Sequence, residues 1–292
     1  MAGRSTCQEF ASVVIQKFLP KVICNGPAPT ARRLNNSAEA PDESHSVVWP
    51  QSRAARYDIP VQNGSRSLLR QTWRDLTFLH WPYDPSAVRP LVPAELELDL
   101  FDGKAWVGLV PFLITGLTHP QAPVLPWLSQ FPETNVRTYV VDRKGRGGVW
   151  FFSLDAARLP AVIGARLAYG LPYFWARMTI LSDRAGTHYT STRLHGPKAE
   201  SDILVRPGDA LATPSDLERF LTARFRLYAR RGGRLLEAAI DHEPWAVQRA
   251  RVVELRESLV RATGLPAPSG EPLAHFSRRL DVLVAAPRIV VL

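Results

Sequence analysis

After Leu69 the chain reads mainly as short alternating stretches separated by turn signals, with few runs of helical spacing. The stretch QTWRDLTFLHWPYD, residues 71–84, is aromatic and β-prone and predicts a strand. VRPLVPAE then breaks at prolines. LELDLFDGKAWVGLVPFLI places Asp102-Gly103 between two apolar runs, a hairpin signal because both residues tolerate positive φ. NVRTYVVDRKGRGGVWFFSLD predicts a second hairpin with its turn at Lys144–Gly148, and YFWARMTILSDRAGTHYTSTRLH a third around Asp183–Gly186.

Helical spacing marks three places. AARLPAVIGARLAYG predicts a helix that stops at Gly170. SDLERFLTARFRLYAR predicts a helix opened by Ser215 with Glu218 three residues on, a capping box. RESLVRATGL predicts a short helix ending at Gly264. RLLEAAIDHEPWAVQRARVVEL and FSRRLDVLVAAPRIVVL supply further strands. Successive hairpins with a few inserted helices predict an α+β or mainly-β domain, not an alternating βαβ fold.

The first 67 residues differ. Residues 25–67 are rich in Pro, Ser, Asn, Ala and charge and hold no sustained period, which predicts disorder. Residues 8–22 have the spacing of a short amphipathic helix. The expected organisation is an extension over 1–67 and a folded domain over 68–292.

Composition narrows the function classes. At 46% hydrophobic and 22% charged residues the 292-residue chain matches an ordinary globular protein. No apolar run approaches the roughly 18 residues that span a bilayer, so no membrane partner is expected. The net charge is +9, but residues 1–70 hold nine Lys/Arg against five Asp/Glu, and the rest is spread thinly. No dense basic block with interleaved aromatics argues for nucleic acid. Cys7 and Cys24 both lie in the tail, so the body can form neither a disulfide framework nor a thiolate metal site. The N-terminus lacks a good secretory signal, and a cytoplasmic location is expected. No phosphate loop, dinucleotide fingerprint, HExxH or G-x-S-x-G is present, and the scattered histidines suggest no metal centre. No cofactor is expected. The sequence leaves an oligomer open.

Two stretches carry candidate chemistry. In FPETNVRTYV, residues 131–140, alternation puts Val136, Thr138 and Val140 on one face and Arg137 and Tyr139 on the other, with Glu133 at the junction. The plain alternative for Glu133 and Arg137 is a surface ion pair of little energetic weight. His80 lies on an apolar strand, where a hydrogen-bonded core histidine is the plain alternative to a catalyst.

Four blocks occur in order: TFLHWPYDPSAVRPLVPAELELDLFDGKAWVGLVPF, FPETNVRTYVVDRKGRGGVWFFSLDA, ARLAYGLPYFWARM and DHEPWAVQRARV. Together they resemble the YqjF-like family, mostly bacterial uncharacterised proteins related to acetoacetate decarboxylase. The resemblance runs from about Leu69 to the C-terminus. It implies a mostly antiparallel β-barrel or double sheet with peripheral helices, offering an interior cavity for a small molecule.

Acetoacetate decarboxylases carry Arg-Glu-x-x-Gly-x-Pro-Lys-Lys, whose first lysine forms a Schiff base with the substrate. Here Arg166, Gly170 and Pro172 match, Leu167 replaces the glutamate, and Tyr173 and Phe174 stand where the lysines would be. Glu133 resembles the family's upstream glutamate. A tyrosine has no amine and cannot form the imine.

The resemblance thus implies a cavity lined by Glu133, Arg166 and Tyr173, with Arg137, His80 and Trp106 as further candidates. Three readings stand open. Arg166 could pair with the carboxylate of a small anionic ligand, with Tyr173 bonding or stacking on it. Glu133 and Tyr173 could act as base and acid in a lyase, hydratase or isomerase without imine chemistry. Or Arg166 and Glu133 could form a buried structural ion pair. The expected geometry brings Arg166 and Tyr173 to one interior cavity with Glu133, with Arg166 and Glu133 within salt-bridge distance.

Overall fold

The computed structural model of the chain describes residues 67–119 and 129–291. The tail expected to be disordered, with its helix over 8–22, lies outside the described residues. Within them run thirteen strands. They are β1 (Ser67–Tyr83), β2 (Leu96–Leu98), β3 (Ala105–Thr118), β4 (Phe131–Asp142), β5 (Gly147–Ala156), β6 (Tyr173–Asp183) and β7 (Gly186–Arg193). There follow β8 (Glu200–Ala210), β9 (Arg226–Arg231), β10 (Arg234–His242), β11 (Gln248–Glu257), β12 (Leu273–Ala285) and β13 (Arg288–Ile289). Helices are short: α1 (Pro85–Val88), α2 (Leu159–Tyr169) and α3 (Asp216–Thr222).

All strands join one sheet, ordered β13-β10-β9-β5-β6-β7-β8-β11-β12-β1-β3-β4-β2, with extra pairings β10–β12 and β4–β5. Those two pairings close the sheet into two rings. One is β12-β1-β3-β4-β5-β9-β10. The other keeps the wall β12-β1-β3-β4-β5 and returns through β6, β7, β8 and β11. Pairing is antiparallel except for β5–β6 and β5–β9. α2 is the crossover between the parallel neighbours β5 and β6, one βαβ unit inside an otherwise antiparallel sheet.

The shared wall buries both faces. Val107, Leu109, Val136 and Val140 face one core, with Tyr189, Ile203 and Val205 of the second ring. Tyr139 and Phe151 face the other, with Leu227, Ala238, Ile240, Leu280 and Val282 of the first ring. A strand buried on both sides should be nearly continuous in its apolar and uncharged residues. β4 is not, because Glu133, Asn135 and Arg137 sit in it. Its first-ring face is therefore where chemistry is concentrated.

Local signals behaved as read. Asp102 and Gly103 take φ +50 and +72, Gly170 takes φ +71 and its N–H bonds the Arg166 carbonyl, and Ser215 and Glu218 complete a capping box. The differences are tertiary. β2 pairs with β4; across the Asp102–Gly103 turn only Phe101 and Lys104 form a bridge. α3 ends at Thr222, and Arg226–Arg231 is strand β9, because Leu227 and Ala229 are needed in the first-ring core. The helix expected to end at Gly264 is one 3-10 turn.

Candidate functional site

Glu133, Asn135, Arg137 and Tyr139 follow at alternate positions of β4, so all project from one face. Glu133 is buried, and the Tyr173 hydroxyl donates to its Oε2 at 2.7 Å. Burial pushes the Glu133 carboxyl up to about 7, against the pull of hydrogen bonds from Tyr173 and Asn135; the nearby Asp155 carboxylate adds to the rise. Burial, and then the Glu133 charge, hold the Tyr173 phenol well above its ordinary value. Tyr173 is placed by the stop of α2. Gly170 turns the chain in a left-handed conformation, Pro172 accepts from Leu154 N at 3.0 Å, and Tyr173 opens β6 beside Leu154. An added Cβ at Gly170 would lie 2.7 Å from the Arg230 carbonyl oxygen, so the turn requires glycine twice over.

Arg137, four residues along β4, is 8% exposed. Among the described residues it forms no ion pair, and its buried Nε has no hydrogen-bond partner. Its guanidinium lies 5.4 Å from the Phe78 ring and 5.8 Å from the Tyr139 ring. Buried arginines normally have a carboxylate beside them. Among the described residues this one has no carboxylate in ion-pair reach and lies near two π faces, which compensate a buried charge in part.

His80 sits across β3 from Arg137. Gly108 pairs with both residues, and a Cβ there would lie 2.9 Å from His80 Nε2. The absent side chain makes room for the imidazole. Tyr139 gives its one proton to the Leu221 carbonyl at 2.8 Å, so at 2.6 Å it accepts from His80 Nε2–H. This fixes the tautomer and leaves Nδ1 as a buried acceptor with no partner. Burial and the Arg137 charge keep the ring neutral.

Aromatic rings surround this face. Trp245, in the loop between β10 and β11, stacks on Trp73 at 5.8 Å and meets Phe78 edge-on at 5.0 Å and His242 at 5.5 Å. Trp73 also meets Phe112 at 5.4 Å. Trp73 and Phe78 occupy positions of opposite parity on β1, yet both touch Trp245. Asp75 takes φ +46, and the register with β3 slips by one between Arg74 and Leu79. This irregularity turns both rings inward. Its carbonyl is held by the Tyr189 hydroxyl at 2.6 Å. The indole N–H groups of Trp73 and Trp106, and Asn135 Oδ1, are buried without partners.

The structure therefore brings Glu133 and Tyr173 into contact and sets Arg137, His80 and Trp106 on the same strand wall. It does not bring in Arg166. That side chain is exposed, with Nη1 3.5 Å from His195 Nε2, and no ion pair with Glu133 forms. The reason is helical phase. Val162 and Tyr169 are the buried residues of α2, with Ala161, Ala165 and Ala168 half-buried on the same side, and Arg166 falls at the solvent edge of that stripe. The buried ion pair of this region is Asp155 with Arg193, at 2.6 Å, with the Phe174 ring 3.9 Å from the guanidinium. The lysines among the described residues, Lys104, Lys144 and Lys198, are all exposed. Asn135, Trp73 and Trp245 were not picked out from the sequence. Alternation carried back from Arg137 could have found Asn135, but nothing local announces the two tryptophans. No group of three His, Cys, Asp or Glu among the described residues is arranged to hold a metal, and no described helix is long and apolar enough to cross a membrane.

Comparison with known proteins follows the same lines. A profile of DUF2071, described as an uncharacterized conserved protein, matches residues 70–281. The chain is 40% identical over 218 residues to "Uncharacterized protein YqjF" of Bacillus subtilis (strain 168), covering 74% of this chain and 90% of that one. Among solved structures, an acetoacetate decarboxylase from Legionella pneumophila superposes with a TM-score of 0.56 at 12% identity, over 81% of this chain and 94% of that one. An acetoacetate decarboxylase-like enzyme from Sphingomonas wittichii RW1 gives 0.53 at 16%, over 77% and 94%. The enduracididine biosynthesis enzyme MppR complexed with pyruvate gives 0.55 at 14%, over 78% and 92%. At these identities the structural likeness establishes the fold alone.

Proposed function

The chain belongs to the DUF2071 family, and on that premise we propose that it binds a small organic anion on the inner face of β4, with Arg137 as its anchor. The observation that carries this is the buried Arg137, whose Nε has no hydrogen-bond partner and which forms no ion pair among the described residues. Removing an arginine from water costs several kcal/mol, which a bound carboxylate would offset through paired, charge-assisted hydrogen bonds. The ligand role that the sequence suggested for Arg166 passes to Arg137. That a fold relative was solved with pyruvate is in keeping with this reading.

A second reading rests on Glu133. A carboxyl pushed to about 7 is divided between its two forms at neutral pH and can both give and take a proton. Tyr173, held in its phenol form, can donate beside it. Such a pair suits a lyase, hydratase or isomerase. Imine chemistry is not part of it, since the described lysines are all exposed.

The test is fluorescence of the tryptophans titrated with pyruvate and with benzoate, on the wild type and on Arg137→Met. A saturable change with either anion in the wild type, lost in the variant, supports the proposal. An equal response from the variant, or none from the wild type, overturns it.

A further inference from the structure

Resting on that reading of the site, we infer that the ligand is a flat hydroxy-substituted aromatic carboxylate, recognised by ring stacking at Trp245 as well as by charge at Arg137. The walls beside Arg137 are π surfaces. Phe78 lies against the guanidinium, and Trp245 touches Phe78, Trp73 and His242 at once. Deeper in the first-ring core Tyr139, Phe151 and Phe220 stand among the aliphatic Leu280, Val282 and Ile240. Rings thus flank the Arg137 guanidinium directly, and Trp245 extends that aromatic wall through Phe78. Ring edges and faces attract another flat ring through their quadrupoles, whereas a puckered ring or a short chain gains only contact area.

The unpaired polar atoms set the substitution. Arg137 offers donors only, which calls for a carboxylate. Further along the same strand face, Asn135 Oδ1 is a buried acceptor with no partner, and Glu133 beyond it holds a carboxyl that accepts from Tyr173. An acceptor without a donor calls for a ligand hydroxyl. Arg137 and Glu133 are four residues apart on β4, about 13 Å between Cα atoms at the usual strand rise. That spacing gives the two ends of a ligand separate partners, carboxylate at one and hydroxyl at the other. A ligand as short as pyruvate cannot meet both at once.

Calorimetric titration of the full chain with 4-hydroxybenzoate, benzoate, cyclohexanecarboxylate and pyruvate tests this. The expected order is 4-hydroxybenzoate tightest, benzoate next, and cyclohexanecarboxylate and pyruvate at least tenfold weaker than 4-hydroxybenzoate. Trp245→Leu should erase the preference for the flat ring over the puckered one, while Trp245→Phe should keep it. Equal binding of the flat and puckered rings by the wild type overturns the inference and leaves Arg137 as a general anion anchor. Binding of none of the four overturns the reading beneath it as well. The wild-type order decides the matter even if Trp245→Leu does not fold.

Discussion

Tyr173 Oη lies 2.7 Å from Glu133 Oε2, so two residues forty positions apart in sequence share a hydrogen bond at a buried carboxyl. A phenol whose ionisation is pushed up by burial remains a donor across the physiological range.

The stability of the protein should depend on pH through Glu133. Its folded value, about 7, lies above the ordinary 4.5, so the folded state holds a proton that the unfolded chain releases first. Stability is then unaffected below about pH 4.5, falls as pH rises toward 7, and stays reduced above. The span corresponds to roughly 3 kcal/mol as an upper bound. Glu133→Gln keeps the acceptor for Tyr173 and removes the titration. Its melting temperature should exceed that of the wild type at pH 8 and match it at pH 4. An equal gain at both values would show that Glu133 is not the group responsible. Binding of an anion should also weaken as Glu133 ionises through pH 7.

Two buried arginines should respond in opposite ways to the same substitution. Arg193→Met leaves Asp155 buried without its partner and should cost about 3–5 kcal/mol. Arg137→Met removes a buried charge that has no carboxylate partner, and should leave stability unchanged or raise it. Chemical denaturation of the two variants in parallel reads the difference. A comparable loss in both would make Arg137 a structural residue.

Gly108→Ala should disturb the site from β3. The new methyl would stand 2.9 Å from His80 Nε2 and displace the ring from Tyr139. Overpacking of this kind costs about 1–3 kcal/mol. The His80 proton resonance in an NMR spectrum should shift along with the loss in stability. An unchanged resonance would mean the imidazole is held elsewhere.

Borohydride added to the protein with acetoacetate should leave its intact mass unchanged. Lys104, Lys144 and Lys198 are exposed and have no burial to activate them. A trapped adduct on one of them would contradict the replacement of imine chemistry.

What was legible in the sequence was local. The Gly170 stop, the Ser215–Glu218 capping box and the Asp183–Gly186 turn depend on residues a few positions apart. The common face of Arg137 and Tyr139 follows from strand alternation alone, and the start of β4 at Phe131 adds Glu133 to it. What was not legible depends on distant partners. Asp155 and Arg193 are 38 residues apart and meet because β6, parallel to β5 across α2, pairs in turn with β7, whose last residue is Arg193. Trp73 reaches Trp245 only because the strand irregularity at Asp75 breaks alternation. Arg166 was misplaced because a motif fixes spacing but not helical phase, and one position of phase separates the buried stripe of α2 from solvent. The burial of Arg137 was hidden for a related reason: β4 is covered on both faces, and only the ring closure shows it.

The most direct test of the account is calorimetric titration of benzoate at pH 6 into the wild type and Arg137→Met, with the melting temperature of each recorded. With Arg137 as the anion anchor, the wild type binds saturably, the variant binds at least tenfold more weakly, and the variant melts no lower. Equal affinity in the two proteins, or a variant that loses binding only because it has unfolded, would contradict it.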